Sequence, residues 1–208
     1  MTEVRAYKFR FFLSFMLAAA CLATTDVRAG RADGGPGWAI EQGTDQPSYA
    51  AVEPLATNLN IDTVVLACEE ASSKRILQLQ LYLTDDGPMR PKYPTLRPFK
   101  SDPRAAISID RLTFPVAVLF ADDYAVLADA QEGAFPLLSD ALLEAMQTGS
   151  RMTLHFDLLE ERPGQSAAFD GEAVVDLEAP GGRQAVAAMR RCASPAPELQ
   201  AETPVARP

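Results

Sequence analysis

Leu77-Gln78-Leu79-Gln80-Leu81-Tyr82-Leu83 alternates leucine with polar or amphipathic side chains. Successive side chains of a strand point to opposite faces, so a period of two marks β-structure. The stretch therefore predicts a strand with one leucine face toward a core and one wet face carrying Gln78, Gln80 and Tyr82. Upstream, Ile61 to Ala67 is nearly all apolar and β-branched, and reads as a buried strand ending at Cys68. Downstream, Asp85-Asp86-Gly87-Pro88 closes the leucine strand as a turn.

The same signals recur along the chain. A second β block begins at Ile107, where Phe114 to Phe120 and Tyr124 to Ala128 flank Ala121-Asp122-Asp123 as a hairpin. The period then changes to four. Leu138, Leu142 and Met146, with Pro136 before them and Gly149 after, predict a short amphipathic helix. Met152, Leu154, Phe156 and Leu158 return to period two, as do Ala173, Val175 and Leu177. Gly181-Gly182 opens a last helix whose buried stripe is Ala185, Ala188, Met189 and Cys192. The order β-β, β-β, α, β-β, α contains no regular βαβ alternation. The expected fold is α+β: a mainly antiparallel sheet with two short helices.

The N-terminus reads differently. Arg5, Lys8 and Arg10 precede an uncharged apolar run from Phe11 to Ala23, too short for the ~20 residues of a membrane-spanning helix. Val27-Arg28-Ala29 follows with small residues, so residues 1–29 read as a secretory signal peptide cleaved before Gly30. Ala18-Ala19-Ala20-Cys21 offers a rival, a degenerate lipoprotein box with lipidation at Cys21, and an uncleaved anchor is the third reading. Residues 30–57 read as a flexible lead-in, with Trp38 and Ile40 available to dock on the domain. Residues 58–193 read as a single domain, and 194–208 as a disordered Pro/Ala-rich tail. The expected location is periplasmic or secreted, with lipid anchoring in the envelope as the alternative. No later stretch is apolar enough to cross a membrane.

Without residues 1–29 the chain keeps 15 basic and 26 acidic residues, a net charge of −11. That disfavours nucleic acid as a partner, because phosphate binding needs clustered Lys and Arg. Either processing route leaves Cys68 and Cys192 as the only thiols able to pair. Two cysteines in an exported chain favour a disulfide, here tying the last helix to the first buried strand.

Leu142-Leu143-Glu144-Ala145-Met146-Gln147-Thr148-Gly149, Met152-Thr153-Leu154 and Gly182-Arg183-Gln184-Ala185-Val186-Ala187-Ala188-Met189 form a recognisable series. About 50 residues here resemble the C-terminal half of the invasion-associated locus B family of exported bacterial proteins. In that family a short helix ends in Gly, strands follow, and a small-residue helix closes the domain. The resemblance implies an exported β-rich domain and carries over no catalytic residue.

Chemistry is sparse in the sequence. His155 shares a strand face with Thr153 and Asp157, and a His–Asp pair could orient a general base. This is the basis of an alternative reading as a periplasmic hydrolase. No Gly-x-Ser-x-Gly, phosphate loop, dinucleotide fingerprint or EF-hand loop occurs. With the thiols committed and a single imidazole, neither a metal site nor a cofactor is expected. The exceptional stretch is 88–104. Arg90, Lys92, Arg97, Lys100 and Arg104 stand among five prolines, with Tyr93 and Phe99 and only Asp102 as an acid. Proline stiffens such a loop and keeps its charges displayed. Arg90, Lys92, Tyr93, Arg97, Phe99, Lys100 and Arg104 are therefore the expected binding residues. The expected activity is non-catalytic binding of an unknown protein or an anionic envelope component.

Overall fold

The computed structural model describes residues 37–193 apart from 73, 85–86, 90–97, 122, 162 and 165. The expected signal segment, residues 30–36 and the tail 194–208 lie outside the described residues. The strands are β1 (Ala39–Ile40), β2 (Tyr49–Val52), β3 (Ala56–Thr57), β4 (Ile61–Ala71), β5 (Lys74–Leu83), β6 (Phe99–Ile109), β7 (Leu112–Phe120), β8 (Tyr124–Ala128), β9 (Ala130–Glu132), β10 (Phe135–Leu137), β11 (Arg151–Leu159) and β12 (Gly171–Asp176). The helices are α1 (Asp140–Thr148) and α2 (Gly182–Ala193). The fold is α+β, and every strand pairing is antiparallel.

Ten strands run in the order β1-β2-β4-β5-β8-β7-β6-β11-β12-β3, and β9 and β10 form a separate hairpin. Strand β7 joins two halves. Its residues Leu112–Val116 pair with β6, and Ala117–Phe120 pair with β8. Pro115 stands just before this change of partner, where it has no amide to give a ladder. One apolar cluster runs through the inward faces of both halves and both helices. Leu79, Leu81 and Leu127 come from one half, and Ile107, Leu154 and Phe156 from the other.

The helices follow their sequence signals. Ser139 caps α1 by accepting from the Leu142 amide at 3.2 Å, and is itself gripped by Asp129. Gly149 ends α1 where a side chain would collide with Ile109. Cys68 on β4 and Cys192 on α2 form a disulfide with a Cα–Cα distance of 6.3 Å, as expected.

Three expectations change. The lead-in is not a free segment from residue 37 onward, since it supplies β1, β2 and β3. Trp38 is buried, with its indole N–H donating to the Asp176 carbonyl at 3.0 Å and its amide to Pro180 at 2.8 Å. Its carbonyl occupies the space a side chain at 181 would need, and at 182 the Leu177 carbonyl does so with the indole ring behind it, which explains the paired glycines. Second, the glutamine face of β5 is not wet. Gln78 and Gln80 are buried, and Gln78 Nε2 donates to the Pro136 carbonyl of the β9–β10 hairpin at 2.8 Å. Third, the second β block starts at Phe99, not Ile107, so the C-terminal third of the Pro-rich stretch is strand.

Candidate functional site

The residues singled out by sequence divide into three groups. Arg90, Lys92, Tyr93 and Arg97 lie outside the described residues. Phe99 is half-buried and packs against the core, opposite Leu159. Lys100 and Arg104 lie on β6 and converge on Asp157 of the neighbouring β11.

Asp157 is only 1% exposed. Alternation along β11 puts it on the outward face, where Lys100 and Arg104 of β6 close over it; a register shift follows between Asp157 and Leu159. Asp170 takes up the irregularity by accepting from the Leu158 and Leu159 amides at 3.0 and 2.9 Å. Arg104 Nε donates to Asp157 Oδ2 at 3.0 Å, and its Nη2 reaches the same oxygen. Lys100 Nζ lies 2.6 Å from Asp157 Oδ1 and 2.6 Å from Glu161 Oε1. Among the described residues Oδ1 meets that ammonium alone, without an aligned hydrogen bond. Burial works to raise the Asp157 pKa, but the Lys100 and Arg104 cations outweigh it and hold the carboxyl below its ordinary value. Asp157 in turn raises the pKa of Lys100, with Glu161 adding to the effect.

Two cations and two carboxylates thus neutralise one another. The two sequence candidates, the basic stretch and the His155/Asp157 pair, meet in one ionic cluster. Asp157 is committed to β6 and makes no hydrogen bond to His155. The imidazole instead packs against the Phe169 ring, with centroids 5.3 Å apart.

A different surface is concave. The outward face of β2, β4 and β5 holds a groove of about 470 Å³, within the range of ligand pockets, roughly 300–1,000 Å³. Register builds its floor. Ala51, Val65 and Gln80 stand side by side across β2, β4 and β5, and beyond the groove the same row runs on to Val126 of β8 and Leu119 of β7. Tyr49 and Tyr82 rise from the floor, 45% and 38% exposed. Tyr82 stacks on its cross-strand partner Tyr124 with ring centroids 5.5 Å apart.

Buried amides organise one wall of the groove. Gln80 Nε2 donates to Gln78 Oε1 at 3.3 Å and to Glu69 Oε1 at 3.0 Å. With the Gln78–Pro136 bond, this chain of amides fixes the Glu69 carboxylate beside the groove. Asp62 lines the opposite end and accepts from the Thr63 hydroxyl at 3.0 Å. Among the described residues no Lys or Arg lines the groove. Burial raises the Tyr82 pKa, and the nearby charges of Asp123 and Glu69 and the Tyr124 ring raise it further, so its phenol is a firm donor at neutral pH. Cys68 touches the same groove from β4.

Among the described residues no cluster of three or more His, Cys, Asp or Glu side chains could hold a metal ion. No helix among them is long and apolar enough to cross a membrane. Comparison with family models, curated proteins and solved structures finds no match to this chain.

Sequence reasoning missed the groove. Its polar residues were legible as an outward strand face. What places Tyr49, Glu69 and Tyr82 together is the β2-β4-β5 register, which is long-range.

Proposed function

We propose that this chain is an exported, non-catalytic binding protein of the cell envelope or periplasm, and that it holds its partner in the groove on β2, β4 and β5. The observation that carries the reading is an outward sheet face that is concave, aliphatic at its floor and set with two half-exposed tyrosines. Partner surfaces favour such amphipathic rings at their centres. The N-terminal signal pattern and the resemblance to the invasion-associated locus B family support export. A disulfide suits an oxidising compartment.

The basic stretch 88–104 is the weaker contact. Two of its five cations, Lys100 and Arg104, are held by carboxylates of the same chain, so an anionic partner would rely on Arg90, Lys92 and Arg97. The hydrolase reading loses its orienting acid, because Asp157 serves Lys100 and Arg104.

A photo-crosslinking residue placed at Tyr49 or Tyr82 in the exporting cell tests the groove. The expected result is a discrete adduct, identifiable by mass, from both positions and none from Glu172 on the other half of the sheet. Equal labelling from all three positions would remove the groove as the contact. Intact mass of the mature chain tests processing. A start at Gly30 is expected, whereas a lipidated Cys21 would make the protein a tethered lipoprotein.

A further inference from the structure

The acids of this surface are not all alike. Among the described residues, Glu132 pairs with Lys74, Glu178 with Arg183, Glu144 with Arg190, and Glu161 and Asp157 with Lys100. Among the same described residues no cation pairs with Asp62 or Glu69. Their partners are the Thr63 hydroxyl and the Gln80 amide, which are neutral donors. Both carboxylates stand at the groove, and no basic side chain is among the described residues that line it.

Resting on the groove reading above, we propose that its occupant is a basic segment of another polypeptide, with an arginine or lysine side chain laid into the groove. Both parts of a long cationic side chain find a counterpart. Its aliphatic stem suits the floor of Ala51 and Val65, as such stems lie along apolar surface while the charged head stays polar. Its head suits the Glu69 carboxylate, which the Gln78–Gln80 amides have already oriented, so little ordering remains to be done on binding. The face of Tyr49 or Tyr82 can receive the cation as well.

A polypeptide fits better than a small free cation because the apolar row does not stop at the groove. It continues through Val126 to Leu119, which is 42% exposed and directly across from it. A side chain alone would leave that surface uncovered. Residues flanking an arginine would cover it.

Titration calorimetry at moderate salt with two synthetic pentapeptides tests the assignment, one with two arginines among valines and one with two glutamates in their place. Binding of the arginine peptide and none of the glutamate peptide is expected. The double variant Asp62→Asn/Glu69→Gln should weaken the arginine peptide by at least about tenfold, since it removes both carboxylates without changing shape. Glu132→Gln/Glu178→Gln removes the same formal charge elsewhere and should leave binding within about twofold. Equal losses in the two double variants would reduce the effect to overall charge and overturn the proposal. Tighter binding of spermine than of the arginine peptide would overturn the polypeptide occupant. If the peptide fails while Tyr49 and Tyr82 still crosslink in cells, the groove stands and the cationic chemistry falls. If both fail, the groove falls with it.

Discussion

The outward faces of the two sheet halves treat charge in opposite ways. On β6 and β11, Asp157 is buried and answered by Lys100 and Arg104, with Glu161 completing a neutral set. On β2, β4 and β5, Asp62 and Glu69 stand beside a concave apolar floor and, among the described residues, are answered by the neutral donors Thr63 and Gln80. The first arrangement satisfies itself, so its charges serve the fold. The second leaves a field open to something outside the fold. A charged residue on a strand therefore says little about function until its cross-strand neighbours are known.

The two faces should respond differently to perturbation. The largest effect belongs to the bond beneath the groove. Cys68 and Cys192 are 124 residues apart in sequence, and closing so long a loop is worth about 4–5 kcal/mol in the chain-entropy model. Reduction, or Cys68→Ala with Cys192→Ala, should lower the melting temperature by on the order of 10 °C. Hydrogen exchange should show the β4–α2 side opening before β6–β11. Uniform exchange on both halves would show that the bond does not distinguish them.

Asp157→Ala comes next. It strands Lys100 and Arg104, although Glu161 still serves Lys100, and should cost about 2 kcal/mol in denaturant melts. The pH profile carries the same signature. Because the folded-state pKa of Asp157 is lowered, its contribution is complete above the ordinary carboxylate value of about 3.9 and is lost as pH falls through the lower folded value. Lys100 works from the other side. Its pKa is raised, so its share is complete below about 10.4 and is lost as pH rises past the folded value. The wild type should therefore lose stability in acid more steeply than Asp157→Ala. Parallel acid limbs would show that the cluster is not linked to folding.

Smaller effects are expected at the groove. Gln80→Met keeps the volume but leaves Gln78 and Glu69 without their donor, at a cost of about 1 kcal/mol in stability. Asp62→Asn/Glu69→Gln should shift stability by less than about 0.5 kcal/mol, because the carboxylates support no ion pair in the fold. A large loss there would place these acids with Asp157, as structural charges, and erase the contrast.

The sequence made local periodicities legible, and the structure shows how far they reach. The leucines of β5, the Leu142–Met146 stripe of α1 and the Cys192 stripe of α2 all face the core as their spacing requires. Gln78 and Gln80 obeyed the same alternation yet are buried, because a distant hairpin brings the Pro136 carbonyl to Gln78 while Gln78 and Glu69 engage Gln80. Prolines at 98 and 103 disguised the start of β6, which pairs at its first residue with Leu159. Asp157 looked solvated because the Lys100 and Arg104 side chains that cover it come from β6, remote in sequence. Trp38 looked like a loose anchor because its partners, Asp176 and Pro180, come from the far end of the chain. In each case the missing information was which strand or loop lies alongside, and that is set by contacts remote in sequence.

The long span between the two cysteines also orders events in time. On the export proposed above, a chain threaded through a membrane from its N-terminus delivers Cys68 well before Cys192, so for most of that passage the first thiol would have no native mate. The covalent lock can close only after β11, β12 and most of α2 have crossed. Until then the strands must hold their registry by packing alone, and the exposed thiol of Cys68 is open to capture by any oxidant or foreign sulfhydryl it meets. Under the export proposed above, the late position of Cys192 makes oxidation a finishing step in maturation.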